Sequence, residues 1–168
     1  IGTDFGDFRG LDLERFCRVV FNQNAYYTYS SSSAEVSKSL ALFYDAPNVL
    51  HVLSISENTH DFLSRNIGIP DLRLSRIVNS VESIFYPAEQ KSNFIHWMPR
   101  KNPQHVQAIL QGMNRASLTT SSGWQGSPLQ DLTHSGVADR LNSARIFLSF
   151  GHPEGFGLPV AEAMAAGC

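Results

Sequence analysis

The sequence predicts an α/β protein with parallel sheets, on three observations. Short runs rich in β-branched and aromatic residues alternate with stretches of helical spacing along the 168 residues. Strand-like runs such as Val49 to Ile55 and Lys91 to Met98 are largely apolar on both faces, as strands covered on both sides must be. Near the C-terminus a strand, a glycine-rich turn and a helix follow one another directly.

Taken in order, Leu13 to Asn22 carries Phe16, Val19, Val20 and Phe21 and reads as a buried strand ended by the polar Asn22 to Asn24. Three tyrosines and Ser30 to Ser33 lead into Ala34 to Tyr44, where Val36, Leu40 and Phe43 have helical spacing under a serine cap. Val49 to Ile55 is a second buried strand; Ser56 then caps a helix from Glu57 to Asn66, closed by Gly68 and Pro70. Lys91 to Met98 reads as a central strand of a second sheet. Pro103 then stands in the first turn of a helix over Gln104 to Met113, with Val106, Ile109, Leu110 and Met113 on one face. Arg115 to Pro128 is rich in Ser, Thr and Gly and is expected to be loop, with Trp124 either anchoring it or following a weak strand. Val137 to Ala144 is helical in pattern, and Arg145 to Phe150 is a strand that delivers Gly151-His152-Pro153-Glu154 to the turn.

Composition narrows the function. The net charge is −2, with no block of like charge, so no basic field points to nucleic acid and nothing in this segment supports peripheral membrane contact. No apolar run approaches the roughly 18 residues that span a bilayer, and no export or targeting signal is present, so the expected location is cytoplasmic. Cys17 and Cys168 are too few for a disulfide framework and read as reduced thiols packed as small hydrophobes. The six histidines pair with neither Cys nor each other at ligand spacing, so no metal site is expected. His51 and His96 lie in apolar strands and read as hydrogen-bonded core residues. The usual signatures of serine hydrolases, P-loop proteins and cysteine nucleophiles are absent.

The chemistry is concentrated in Glu154 to Gly167. Gly155 and Gly157 allow a tight turn and close backbone approach to a ligand, and Pro159 is pre-set for a first helical turn. Amides at the positive end of a helix dipole make an anion site, while Glu154 before the turn and Glu162 within the helix accept hydrogen bonds from hydroxyls. Paired carboxylates also serve glycoside hydrolysis. The intervening Gly-Phe-Gly suits a diphosphate better than a neutral glycosidic oxygen.

Two glutamates with seven residues between them, Gly-Phe-Gly-Leu-Pro among those seven and Glu-Ala-Met-Ala-Ala-Gly closing, resemble the donor-site signature of retaining glycosyltransferases of family 4. The resemblance implies a GT-B architecture of two Rossmann-like domains. It also implies transfer of a hexose or similar sugar from a nucleotide-diphosphate sugar to a saccharide, lipid or other hydroxyl acceptor, with retention of configuration, as in polysaccharide biosynthesis. No cofactor is implied, because the nucleotide sugar is a substrate. Glu154 would touch the transferred sugar as the catalytic contact, Gly155, Phe156, Gly157 and Leu158 the sugar and diphosphate, and Glu162 the ribose. Arg76 to Pro87 resembles the family's crossing between domains, with Asn79-Ser-Val-Glu82 and Phe85-Tyr-Pro87 standing for its Asn-Gly-Val-Asp and Phe-x-Pro. Arg100 and Lys101 stand where the family holds its diphosphate with cations, although here they are adjacent. His152, two residues before Glu154, is a candidate substrate contact. No residue matches the family's first-domain histidine.

These features set the expected division at residues 1–75 for the C-terminal part of a first, acceptor-side domain and 76–168 for a truncated donor domain. The absent initiator Met and the stop after a closed helix make the chain an expected internal fragment of a longer enzyme. Two other readings share the architecture or the site. A sugar-nucleotide epimerase would carry acid and base residues in place of the full glycine run, and a non-catalytic nucleotide-sugar-binding module would lack turnover.

Overall fold

The computed structural model of the chain describes residues 15–26, 44, 46–116 and 123–168. Over these described residues it is a mixed α/β protein with two three-stranded parallel sheets, compatible with a Rossmann-like fold, divided between two compact units. The first unit comprises residues 1–79 with 153–156; the second comprises 80–152 with 157–168.

In the first unit β1 (Arg18–Asn22), β2 (Val49–Ser54) and β3 (Leu74–Arg76) form a sheet in that order, all parallel. β1 is shorter than the apolar run suggests, and residues 13–14 lie outside the described residues. So does the expected helix over 34–44, except Tyr44, which is helical and buried. Ser56 caps α1 (Glu57–Phe62), its hydroxyl accepting from the Thr59 amide at 3.2 Å. The helix then widens into a π turn over Leu63–Ile67, ended by Gly68 in the left-handed conformation. Tyr44, Val49, Val52, Leu63, Ile69 and Leu74 form the core of this unit.

In the second unit β4 (Ser92–Trp97) is central, flanked by β5 (Gln125–Pro128) and β6 (Ala144–Leu148), again all parallel. β5 corrects the sequence reading, which makes this stretch loop. Its Gln-Gly-Ser-Pro has no apolar alternation, and backbone pairing with β4 makes it a strand. α2 (Pro103–Arg115) follows β4, with Pro103 in its first turn as expected. α3 (His134–Ser143) starts three residues earlier than Val137, because the Thr133 hydroxyl accepts from the Gly136 amide at 3.1 Å. α4 (Leu158–Ala165) closes the described chain.

Phe85, Leu129, Ala138, Leu141, Ala163 and Ala166 form the second core. Leu141 is fully buried, and truncation to Ala would cost about 2–5 kcal/mol. Asn142, also buried, holds the irregular segment before β4: its side chain accepts from the Tyr86 amide at 2.9 Å and donates to the Ile84 carbonyl at 2.8 Å. Lys91 adds charge-assisted bonds to the carbonyls of Leu141 and Ala166.

His96 is fully buried on β4. Its Nδ1 lies 3.0 Å from the Ser127 carbonyl and 3.1 Å from the Ser127 hydroxyl, and its Nε2 is buried without a partner. Burial, and to a smaller extent the charge of Arg140, hold its pKa below the ordinary value. His51 is half-buried and bonds the Ser75 hydroxyl at 2.8 Å. The cysteines part company. Cys168 packs beside the second core with its thiol donating to the Leu141 carbonyl, and burial pushes its pKa up; Cys17, expected to be packed as a small hydrophobe, is exposed.

Candidate functional site

β6 runs into a loop from Ser149 to Gly157, after which Leu158 and Pro159 open α4. Gly157 takes φ +79° at the helix start, and its carbonyl accepts from the amides of Val160 and Ala161 at 2.9 and 3.1 Å. A Cβ there would meet nothing closer than 3.8 Å, so the site needs glycine for its dihedral and not for space. Among the described residues the amides of Gly157 and Leu158, at the start of α4 in the second unit, donate to no protein acceptor. Groups of this kind at a helix start are suited to an anion.

Gly155 is glycine for a different reason. Residues 153–156 belong to the first unit, and a Cβ on Gly155 would stand 1.8 Å from the Gln23 carbonyl oxygen. The absence of a side chain at Gly155 is thus what lets this segment lie against the Gln23 backbone. The loop after β1 that receives it is built from successive asparagine turns. Asn22 Oδ1 accepts from the Asn24 amide at 2.9 Å, and Asn24 Oδ1 accepts from the Tyr26 amide at 3.0 Å. Asn22 Nδ2 donates to the Tyr44 hydroxyl at 2.8 Å, and Asn24 Nδ2 to the Pro153 carbonyl at 3.4 Å. Glu154 is half-buried in this segment, and the Phe156 ring is 40% exposed.

In the second unit Glu162 lies on α4 with only 8% of its surface exposed. Burial raises its pKa, and His134 opposes the rise. The His134 ring stands between two carboxylates, Nε2 3.6 Å from Glu162 Oε1 and Nδ1 3.7 Å from Glu82 Oε1. At these distances the contacts are long, and any hydrogen bond from the ring to Glu162 is a weak one. Phe85 meets the same ring edge-on, with centroids 5.3 Å apart.

The cation loop follows β4. Arg100 is exposed and Lys101 half-buried, and the next residue, Asn102, takes the left-handed conformation at φ +49°. Its Nδ2 donates to the carbonyls of Phe150 (2.6 Å) and His152 (2.9 Å), so this loop and the start of the β6 loop are pinned together beyond the C-terminal ends of adjacent parallel strands. His152 is exposed; its Nε2 lies 3.2 Å from His105 Nδ1 with the rings 19° from parallel, one nitrogen donating and the other accepting.

Arg100, Lys101, His152, Gly157, Leu158 and Glu162 thus all belong to the second unit, whereas Glu154, Gly155 and Phe156 belong to the first. Sequence reasoning missed Asn102, His105 and His134. Asn102, directly before the helix-opening Pro103, carries a positional hint. The two histidines carry none, since each acts through a partner distant in sequence. Among the described residues no three His, Cys, Asp or Glu side chains are grouped to hold a metal, and no helix is long and apolar enough to cross a membrane. Compared with known proteins, the chain matches no family model and no curated protein.

Proposed function

We propose that the protein is a retaining glycosyltransferase of GT-B architecture, cytoplasmic, moving a sugar from a nucleotide-diphosphate sugar to a hydroxyl acceptor. The observation that carries this reading is Glu162: a carboxylate buried to 8% exposure, its pKa raised, on a helix that opens from a loop with unpaired amides. Burying a carboxylate is costly without a partner, and displaced titration is common at ligand sites. Ribose hydroxyls would supply the missing bonds.

In this reading Arg100, Lys101 and the amides of the glycine loop bind the diphosphate, Glu154 contacts the transferred sugar, and His152 lies beside the substrate. Bond cleavage at the anomeric carbon leaves negative charge on the diphosphate. Fixed cations and amides stabilise that charge without reorganising, and this carries most of the rate enhancement. Incubation with a panel of nucleotide sugars, following free nucleoside diphosphate and the anomeric configuration of the product by NMR, tests the reading. Release coupled to a retained glycoside supports it; nucleotide binding without turnover leaves a binding module, and an isomerised nucleotide sugar an epimerase.

A further inference from the structure

The first unit contains a hollow of about 210 Å³ beyond the C-terminal ends of β2 and β3, lined by Ile55, Glu57, Arg76, Ile77, Asn79 and Phe156. We infer that this hollow binds one uncharged sugar ring of the acceptor, an inference that rests on the glycosyltransferase reading and extends it to the acceptor's chemistry.

Size is the first argument. Drug-sized ligands occupy about 300–1,000 Å³, so this hollow suits a single ring. Its chemistry is the second. Ile55, Ile77 and the partly exposed Phe156 ring supply apolar surface for the C–H face of a pyranose, while Asn79, Arg76 and Glu57 offer donors and acceptors to its hydroxyls. Ser56 also lines the hollow, but its hydroxyl is already committed to Thr59, accepting from its amide and donating to its Oγ1 at 3.0 Å.

Charge is the third. Arg76 Nη1 lies 3.9 Å from Glu57 Oε2, with the two side chains 48% and 85% exposed. Opposite charges so close cancel any net field, which disfavours a phosphate or carboxylate ligand and favours a neutral polyol. The pair is also loose enough for both groups to turn to a ligand. Finally, Phe156 is two residues from Glu154, so the hollow adjoins along the chain the residue proposed to touch the transferred sugar.

The test is ligand-observed NMR titration of the protein with methyl hexopyranosides and neutral disaccharides, without nucleotide, in the wild type and in Arg76→Ala and Asn79→Ala. Saturable binding is expected, weakened about fivefold or more by each substitution at unchanged thermal midpoint, each removing one net hydrogen bond. In the wild type alone, a methyl hexoside should bind better than the matching uronate. Absence of saccharide binding at tens of millimolar, full retention in both variants, or preference for the uronate would overturn the inference. The two readings fail separately. Nucleoside diphosphate binding without saccharide binding sinks only the hollow, and saccharide binding through these residues without nucleotide binding sinks only the donor site.

Discussion

The His134 imidazole stands 3.6 Å from the buried carboxylate of Glu162, which makes a neighbour twenty residues before the start of the glycine-run motif part of its electrostatics. Glu162 is buried with a single flanking imidazole and no close hydrogen bond from it. That is an unfavourable arrangement for a charged group, and it is relieved when hydroxyls reach the carboxylate.

The first prediction follows from the sign of this shift. The folded pKa of Glu162 lies above the ordinary 4.5, so the folded state keeps a proton that the unfolded state has lost. Its contribution to stability is present below pH 4.5 and is lost as pH rises through the raised value. Thermal midpoints across this range should fall less steeply with rising pH in Glu162→Gln than in the wild type. The same substitution should weaken nucleoside diphosphate binding by about 1–3 kcal/mol, because a charge-assisted bond to ribose is lost while shape is kept. Identical pH slopes and unchanged affinity would remove Glu162 from the site.

His96 titrates in the opposite sense. Its folded pKa is depressed, so its stabilising contribution is complete above about pH 6.5 and is lost as pH falls below that value. His96→Asn keeps a donor toward the Ser127 carbonyl but cannot titrate, and should flatten the acid limb of the stability profile. An unchanged acid limb in that variant would mean that other groups carry the acid sensitivity.

The two glycines of the run should behave differently. Gly157→Ala asks a Cβ to accept φ +79° in open space, at a cost of about 1–2 kcal/mol. Gly155→Ala puts a Cβ onto the Gln23 carbonyl, and residues 153–156 must leave their seat, at a cost of about 1–3 kcal/mol or more. Hydrogen exchange at the Asn24 and Tyr26 amides, which close the turns that receive this segment, should rise sharply in the Gly155 variant and little in the Gly157 variant; equal protection in both would refute the close contact.

Asn102 offers a separable pair of substitutions. Asn102→Gly keeps the left-handed backbone and loses the two bonds to Phe150 and His152, for about 1–3 kcal/mol. Asn102→Ala adds the dihedral penalty of about 1–2 kcal/mol. Chemical denaturation should therefore rank wild type above Gly above Ala, and a Gly variant as stable as wild type would show that the side chain does not pin the loops.

These residues also mark how much was legible in the sequence. β4, β6 and α4 announce themselves, because a buried strand needs apolar faces and a helix after a tight turn needs glycine and proline at fixed places. β5 does not: Gln125 to Pro128 is a strand through its partner's backbone, and side-chain patterning is blind to that. The π turn at Leu63–Ile67 has the apolar spacing of an ordinary helix end. Within the site, the types and order of Glu154, Gly157 and Glu162 were readable. The neighbours that set their chemistry, His134 beside Glu162 and Gln23 against Gly155, were not, since such pairs form only once distant segments pack.

The most direct test of the central claim is calorimetric titration of the protein with a nucleoside diphosphate and with the uncharged nucleoside, in the wild type and in Arg100→Ala and Lys101→Ala. If the second unit holds a diphosphate beyond the C-terminal ends of β4 and β6, each substitution lowers affinity for the diphosphate by about 1–3 kcal/mol and leaves the nucleoside nearly unaffected. Equal losses for both ligands, or no loss for either, would contradict the account and make Arg100 and Lys101 an ordinary solvated turn.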